Sequence, residues 1–522
     1  MMTFCVLYQA HSIMAIATLI RPPSVVARYA LTLNGTPPLS LAYLAGGLTA
    51  AGHDVQVIDA VGEALEAMHP GYRPDIVING LSVAEIVTRI RPDTQFVGIS
   101  CLFSHEWPVI RELIAAIARR LPLVPIVLGG EHASALPELC LDEAPALQAC
   151  ALGEGEETVV ELLDACLGKR ALATVAGIVF RTHEGPHRTD ARRRILDVDR
   201  LPAPRWDLTP IERYLDGGFS FGVDRGRTMP LLATRGCPYR CTFCSSPQMW
   251  TTRYTTRAPA LVVDEIEDYV RRYRVEAVDF YDLTAIIERE WILEFCRLLD
   301  ERGLQIIWQL PSGTRSEALD EPVLRAMYRS GCRNVSYAPE SGSPQTLEAI
   351  KKKVKLDRME ASMRAAVKVG LNVKANILIG FPDEREQNLR ETLRFIRRMA
   401  RIGVHDVSVW TFSPYPGSEL FEHLRTAGHF PRLDDDYYAS LLSYSDVSGA
   451  VSHAAALGSR QLQRYRLAGL LLFYGVSYLT HPARPLRSLY NIVTRRYESR
   501  LEMSFGNLVR RLSASRAQAE IA

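Results

Sequence analysis

The sequence predicts an α/β protein: a doubly wound parallel sheet, an incomplete six-unit βα barrel, and a helical C-terminal region. Three observations predict it. Short β-rich runs alternate with helical patterns up to about residue 185. A second series of such units runs from about 228 to 428, and beyond 430 only helical patterns remain. With 522 residues, at roughly 150 per domain, the chain has length for about three domains and a core that needs no staples.

The first series contains the runs 55–59 (VQVID), 96–101 (FVGISC) and 125–129 (PIVLG), each bounded by turn residues. Helical patterns lie at 38–51 and 107–120. Such alternation argues for a sheet that binds ligands at the carboxyl ends of its strands. The turns there are Ser100-Cys101-Leu102, Gly129-Gly130 and Gly153-Glu154-Gly155-Glu156. Residues 186–225 read as a linker, and their run Arg192-Arg193-Arg194 is expected to be a solvated face. The barrel series places strands at 231–235, 275–281, 305–310, 333–338, 371–379 and 405–412, with helices at 259–273, 289–302, 357–369 and 386–402. Chemistry is expected at the strand C-terminal ends. The domain bounds are therefore 1–185, a linker 186–225, 226–430 and 431–522. In the last, residues 464–479 carry a large apolar face beside Arg side chains, and eight Arg against three Glu follow from His481 onward. This helix is expected to pack over the barrel, with a membrane surface or a partner helix as the alternative.

Composition excludes several classes. Hydrophobic residues at 47% and charged residues at 23% rule out wholesale disorder, collagen-like repeats and coiled coil. Lys+Arg 61 against Asp+Glu 59 gives a net charge of +2, so no nucleic-acid partner is expected. No Lys or Arg precedes Arg21, so the apolar N-terminus lacks the basic flank of a signal peptide. The apolar stretch Leu467 to Leu479 is too short to span a bilayer. The expected compartment is reducing and cytoplasmic, with peripheral contact at the inner membrane left open. There, clustered cysteines mean metal or catalysis more often than disulfides.

Cys237, Cys241 and Cys244 form such a cluster, in RGCPYRCTFC directly after a strand. Three thiolates spaced C-x3-C-x2-C on one loop can grip three irons of a [4Fe–4S] cluster and leave the fourth open to a small molecule. Zinc is the rival, but a structural zinc site is closed by four ligands and no fourth lies on this loop. Cys5, Cys101, Cys140, Cys150 and Cys166 show no paired motif and read as buried apolar residues.

The cysteine loop resembles the signature of the radical S-adenosylmethionine (SAM) superfamily, and downstream positions agree. Phe243 occupies the family's aromatic position near the SAM adenine. Asp282 ends the second strand, where the family places a carboxylate near the SAM amino group; the usual acidic neighbour is Leu283 here. Glu340-Ser341-Gly342 resembles the SAM-contacting ESG motif of the fourth strand. Asn376-x-Leu378-x-Gly380-x-x-Asp383 resembles the fifth-strand G-x-I-x-G-x-x-E motif, with Asn for the first Gly and Asp for the Glu, beside Glu384. Tyr415-Pro416-Gly417 follows the sixth strand, as in many members. Each position also has a plainer reading: Glu340 as a rim ion pair, Asn376 as a satisfied polar group, Phe243 as core. The resemblance implies that SAM chelates the open iron and is cleaved by an electron to methionine and a 5′-deoxyadenosyl radical. That radical takes hydrogen from an unactivated carbon, inside a barrel that excludes water.

The first domain resembles the cobalamin-binding domain found upstream of the barrel in one large radical SAM subgroup. Ser100-x-Leu102 and Gly129-Gly130 match its SxL and GG elements, and Glu154, in the Gly-Glu-Gly-Glu run, is the further candidate contact. The D-x-H-x-x-G element is absent, since Asp59-Ala60-Val61-Gly62 has no His. The resemblance therefore implies base-off cobalamin without a His ligand from that motif. His105 and His132 are expected in surface or loop roles, and Trp107 either over the corrin face or in helix packing. The expected function is a cobalamin-dependent radical SAM enzyme that transfers methyl from methylcobalamin to an unactivated carbon. An oxidative cyclase or rearrangement enzyme of the Mg-protoporphyrin ester cyclase type is the alternative, and a cobalamin or Fe–S redox sensor is the non-enzyme one. A small-molecule or lipid-like substrate and an electron donor such as flavodoxin or ferredoxin are the implied partners. No catalytic side chain is assigned.

Overall fold

The computed structural model describes residues 14–30, 35–284, 287–314, 318–446 and 448–507. Cys5 and the last basic residues lie outside this set. The first sheet has seven strands: β1 (Ile16–Arg21), β2 (Asp54–Asp59), β3 (Phe96–Ser100), β4 (Ile126–Gly129), β5 (Leu147–Ala151), β6 (Ile178–Thr182) and β7 (Gly185–Arg188). Their order is β7-β6-β5-β4-β3-β1-β2, with β2 to β5 and β1 parallel and β6 and β7 antiparallel at one edge. The parallel part is the flavodoxin-like order, whose switch point between β1 and β3 opens a crevice at the strand ends. The helices Leu39–Ala50 and Trp107–Arg120 match the sequence expectation closely. The expected linker does not start where composition suggested. Its first residues form β7, and Arg192 and Arg194 are paired with Glu157, Glu161 and Glu154 instead of facing water. Only Arg193 of that run is exposed.

The second sheet has six parallel strands in sequential order: β8 (Thr228–Leu231), β9 (Ala277–Phe280), β10 (Ile307–Thr314), β11 (Cys332–Glu340), β12 (Asn372–Ile379) and β13 (Asp406–Thr411). This is the incomplete barrel expected. Its first strand lies earlier than the run 231–235, for a reason the structure shows. The amides of Ala233 and Thr234 donate to the Asp282 carboxylate, so the chain leaves the sheet after Leu231. Thr234–Arg235 then forms a short antiparallel ribbon with Thr255–Thr256 around the cysteine loop.

Outward-facing strand residues meet amphipathic helices. Glu386–Ile402 buries Leu389, Phe395, Ile396 and Met399 and stops at Gly403, whose φ of 100° suits a residue without Cβ. Over it lies Ser459–Thr480, which buries Leu462, Gly469 and Phe473 against the same core. Full burial of such a Leu or Phe side chain contributes roughly 1.5–3 kcal/mol. The expected helix over the barrel is thus present. Residues 431–446 also bind the first domain: Tyr437, Tyr438 and Leu441 share a core with β3, β4 and the helix Trp107–Arg120.

The N-terminal end of the barrel is closed by two remote segments. Gly222 donates to Asp279, and Val223 exchanges hydrogen bonds with Gln309 (3.1 and 2.8 Å). From the C-terminal side, Met503 and Tyr497 pack on Val223, and Asn334 donates to the Glu498 carbonyl.

Candidate active site

Cys237, Cys241 and Cys244 are free thiols, all half-buried, on the loop that leaves the first barrel strand. The loop is tied down by main chain: Thr242 N donates to Ile350 O, and Leu420 N to Thr242 O. Burial pushes the Cys244 thiol up to about 12, and Glu131, Cys241 and Cys237 push the same way. A cavity of about 430 Å³ opens beside Cys241 and Cys244, walled by Gln248 and Gly417. Among the described residues no three His, Cys, Asp or Glu side chains converge as they do around a single metal ion.

The barrel rim brings some of the expected SAM residues together and spends others. Phe243 packs on Phe381 (5.6 Å between ring centroids) and shares an apolar cluster with Leu378. Glu340 ends β11 in the left-handed region (φ 64°), a strained position for a side chain with Cβ, and pairs with Lys352 at 2.9 Å. Ser341 is fully buried; its hydroxyl meets Thr392 and accepts from Ser343 N, so it holds the turn and does not face a ligand. Asp282 is likewise fully buried. Its carboxyl accepts from Ala233 N, Thr234 N and the Thr234 hydroxyl, and burial raises it to about 6. It fixes the approach to the cysteine loop. Asp383 is exposed, and it is Glu384 that folds back onto Gly380 N (2.5 Å). Asn376 is nine-tenths buried, and its Oδ1 has no hydrogen-bond partner among the described residues.

In the first domain Ser100 and Gly129 are register partners on adjacent strands. A Cβ on Gly130 would sit 2.5 Å from the Cys101 carbonyl, so the fold itself requires that glycine. Gly129 differs: an added Cβ would meet only Ala151, at 3.9 Å. Packing does not explain its missing side chain, and the open space suits a group brought against the backbone. The two histidines are buried, not on the surface. His105 Nδ1 meets the Tyr415 hydroxyl (3.0 Å), and His132 Nδ1 meets the Ser104 hydroxyl (2.9 Å). Burial lowers both to about 3. Trp107 is fully buried and donates to Glu143, so it belongs to the helix packing and covers no cofactor face.

Glu154 corrects the expectation most sharply. Its carboxylate accepts from Arg194 Nε (2.8 Å), Ile195 N (2.8 Å) and Arg235 (3.2 Å), leaving nothing for cobalamin. Arg235 also pairs with Glu156 and lies over Tyr43 and Trp250. Arg235 stands two residues before Cys237, so this buried network clamps the cysteine loop to the first domain. Arg235→Met would strand the buried Glu156 carboxylate and leave Glu154 to Arg194 and Ile195 N, which costs about 3–5 kcal/mol. The expected result is a clearly lower melting temperature; an unchanged one would show that the clamp carries no load.

A cavity of about 440 Å³ joins the two halves. It starts at the switch point of the first sheet, beside Arg21, Ser100 and Leu102, and runs into the barrel past Ser336, Lys374, Asn376 and Trp410. Glu106 lines it near Ser100; burial raises its carboxyl to about 8, so it holds its proton at neutral pH.

Comparison with known proteins matches this division. The family model of the radical SAM superfamily fits residues 231–396, and that of the B12 binding domain fits 30–163. An uncharacterized methyltransferase of Pyrococcus horikoshii is 30% identical over 409 residues, 78% of this chain and 82% of that protein. The chain belongs to the B12-binding radical SAM enzymes. The anaerobic magnesium-protoporphyrin IX monomethyl ester cyclase of Rubrivivax gelatinosus is 30% identical over 395 residues, 74% of this chain and 66% of that one. The solved structure of the radical SAM methyltransferase TsrM from Kitasatospora setae, with cobalamin and a [4Fe–4S] cluster bound, has the same fold (TM-score 0.61, 18% identity, 79% and 75% of the two chains).

A B12-binding radical SAM enzyme uses a [4Fe–4S] cluster, SAM and cobalamin, and the side chains present fit all three. Cys237, Cys241 and Cys244 would hold the cluster beside an open cavity. Phe243, Leu378, Asn376 and Glu340 would border SAM, and Ser100, Leu102 and Gly129 would border cobalamin at the switch point. Lys374 and Arg500, which also face the chamber, escaped the sequence reading. Lys374 had a signal: positions 372, 374 and 376 are all polar in a strand otherwise made for burial. Arg500 had none.

Proposed function

We propose that the protein is a C-methyltransferase, moving methyl from methylcobalamin to an unactivated carbon of a substrate held in the barrel. The continuous chamber carries this reading, because the cobalamin-side crevice and the barrel interior, as far as Asn376, open onto one space. Bound together, the cluster and SAM supply a hydrogen-abstracting radical and methylcobalamin supplies the methyl group. The chain's own part is placement. Leu102 and Phe103 present apolar surface at the crevice, Asn376 offers an unpaired carbonyl oxygen, and Trp410 gives the substrate a flat wall. The test is anaerobic reconstitution with iron, sulfide and hydroxocobalamin, then reaction with SAM under a flavodoxin or ferredoxin-type donor, which this reading takes as partner. Formation of 5′-deoxyadenosine with a product one CH2 heavier supports methyl transfer. An oxygen-bearing product would assign a cyclase, and no SAM cleavage would leave a sensor.

Cobalamin is proposed to bind base-off without histidine. Asp59-Ala60-Val61-Gly62 carries no His, His105 and His132 hold Tyr415 and Ser104 through Nδ1, and neither lines the chamber. Nitrogen hyperfine structure in the spectrum of the reduced cobalt would sink this.

Peripheral contact with an anionic membrane is the second part of the proposal. Among the described residues no helix is long and apolar enough to cross a membrane. Yet Leu467, Leu471 and Leu479 form one exposed stripe on Ser459–Thr480, and Leu486, Leu489, Tyr490 and Val493 another on Arg484–Thr494, beside exposed Arg495 and Arg496. An apolar face rimmed by arginine suits an anionic bilayer surface. Replacing Leu486, Leu489 and Val493 by Ser is expected to lower binding to anionic vesicles by about tenfold or more with folding intact. Equal binding of the variant would refute the contact.

A further inference from the structure

The inner wall of the barrel is unusual in its polarity. Barrel interiors are ordinarily packed with branched apolar side chains. Here the inward positions toward the N-terminal end are Gln309, Asn334, Ser336, Asn372 and Lys374, and they border open space.

Lys374 is the telling residue. It stands mid-wall on β12, in register with Ser336 on one side and Asp406 on the other. Its ammonium lies 5.5 Å from the centre of the Trp410 ring. Among the described residues no carboxylate forms an ion pair or hydrogen bond with it, and Asp406 acts on it only through space. Asp406, the nearest candidate, already accepts from the Tyr474 hydroxyl (2.6 Å) and from Arg500 N (3.1 Å). Lys374 is half-buried, its ammonium facing the chamber, and a lysine drawn from water without an anionic partner is rare because the charge is costly there. Arg500 enters the same space from the C-terminal segment; its guanidinium spends one nitrogen on the Gly222 carbonyl (2.7 Å). At this end of the chamber Lys374 and Arg500 thus stand beside Asp406, which is committed, and Glu498, whose carboxylate pairs with Arg487.

We infer that the chamber recognises a substrate bearing a terminal oxyanion, carboxylate or phosphoryl, seated between Lys374 and Arg500 at the closed end of the barrel. The inference rests on the reading of this chamber as the substrate site. The oxyanion would supply the ammonium's missing partner, and Trp410 would flank the group that carries it. Charge-assisted hydrogen bonds of this kind discriminate strongly against an uncharged isostere, which leaves the cation unpaired. With its anchor at the far end, the substrate's other end would point toward the cofactor rim.

The test is calorimetric titration of the cofactor-loaded protein with benzoate, phenylphosphate and uncharged benzamide. At least one anion is expected to bind about ten- to a hundredfold more tightly than benzamide, and the stronger of the two tells carboxylate from phosphoryl. Lys374→Met is expected to remove that preference, while K374R, which keeps the charge, retains most of it. Affinity for the anion should also fall above pH 8, since burial holds the Lys374 ammonium down to about 8. Asp279, raised to about 7, ionises in the same range and pushes the same way. His405 is held near 3 and neutral, Tyr474 is pushed up out of range, and Asp406, Glu498 and Arg500 are the other charged groups at this end. The part of the pH effect that disappears in K374R belongs to Lys374, and the part that remains belongs to Asp279. Equal binding of benzamide and both anions, or full anion affinity in Lys374→Met, would overturn the inference. SAM cleavage in the same preparation is read separately. Cleavage without anion preference defeats this inference alone; anion preference without cleavage defeats the proposed function alone.

Discussion

Replacing Cys237, Cys241 and Cys244 together by Ala is expected to abolish SAM cleavage and to reduce iron from about four atoms per chain to none. The physical reason is the ligand count. A cluster held by three protein thiolates has no spare ligand, so each single replacement should come close to the triple. The fold should survive. The three thiols are half-buried on a loop and take no part in the core, and the loop keeps its main-chain ties to Ile350 and Leu420. The measurement is iron and sulfide content after anaerobic reconstitution, with 5′-deoxyadenosine as the activity readout and circular dichroism as the folding check. Cys101→Ala is the control, because that thiol is fully buried and burial raises it well above the usual thiol range. About four irons retained in the triple variant would mean that the cluster is held elsewhere.

Arg466→Met is expected to cost about 3–5 kcal/mol of stability, a large share of the 5–15 kcal/mol typical of a domain. Arg466 is 2% exposed, yet among the described residues no carboxylate pairs with it. Its guanidinium donates instead to the carbonyls of Val409 (3.0 Å), Ser443 (3.2 Å), Tyr444 (2.9 Å) and Asp446 (2.5 Å). Burial lowers it to about 10, so it still holds its charge at neutral pH. Methionine fills part of the volume and satisfies none of those oxygens, and each stranded buried acceptor costs about 1–3 kcal/mol. Lysine should rescue poorly, since an ammonium cannot reproduce the planar fork. Denaturant midpoints give the number. Protease nicking within 441–458 should rise with it, because Arg466 is what holds that irregular segment to the last barrel strand. A loss below about 1 kcal/mol would refute this account. Leu442, Tyr444 and Ser445 also line the chamber, so substrate binding should weaken in parallel.

Much of this fold was legible from residues near one another. The helices 107–120, 259–273 and 386–402 were bounded closely because one apolar stripe at helical spacing defines each of them. The cysteine loop was legible for the same reason, as a local spacing. The failures share a different cause. Ile16–Arg21 was weighed only as an apolar N-terminus, but it is the strand at the switch point; a strand buried on both faces shows no alternation. Glu154 was read as a cofactor contact because its partners, Arg194 and Arg235, stand 40 and 81 residues away. Arg192 and Arg194 were read as solvated for the mirror reason. Ser341 and Asp282 sit where the motifs put them, but the structure shows their oxygens already engaged by Thr392, Ser343, Ala233 and Thr234. Motif spacing reports position, whereas availability depends on neighbours from other strands.

The closed end of the barrel has a consequence for how such an enzyme diversifies. Its floor is assembled from the stretch before the first barrel strand and from residues 497–503, neither of which overlaps the cysteine loop or the rim motifs. Mutations that remodel the floor leave the cofactor-gripping loops untouched. Selection can therefore retune what is modified while the radical-generating apparatus stays under separate constraint. The same separation offers an engineer a bounded library: vary the floor and the alternate inward positions of β10 to β13, and hold the rim fixed.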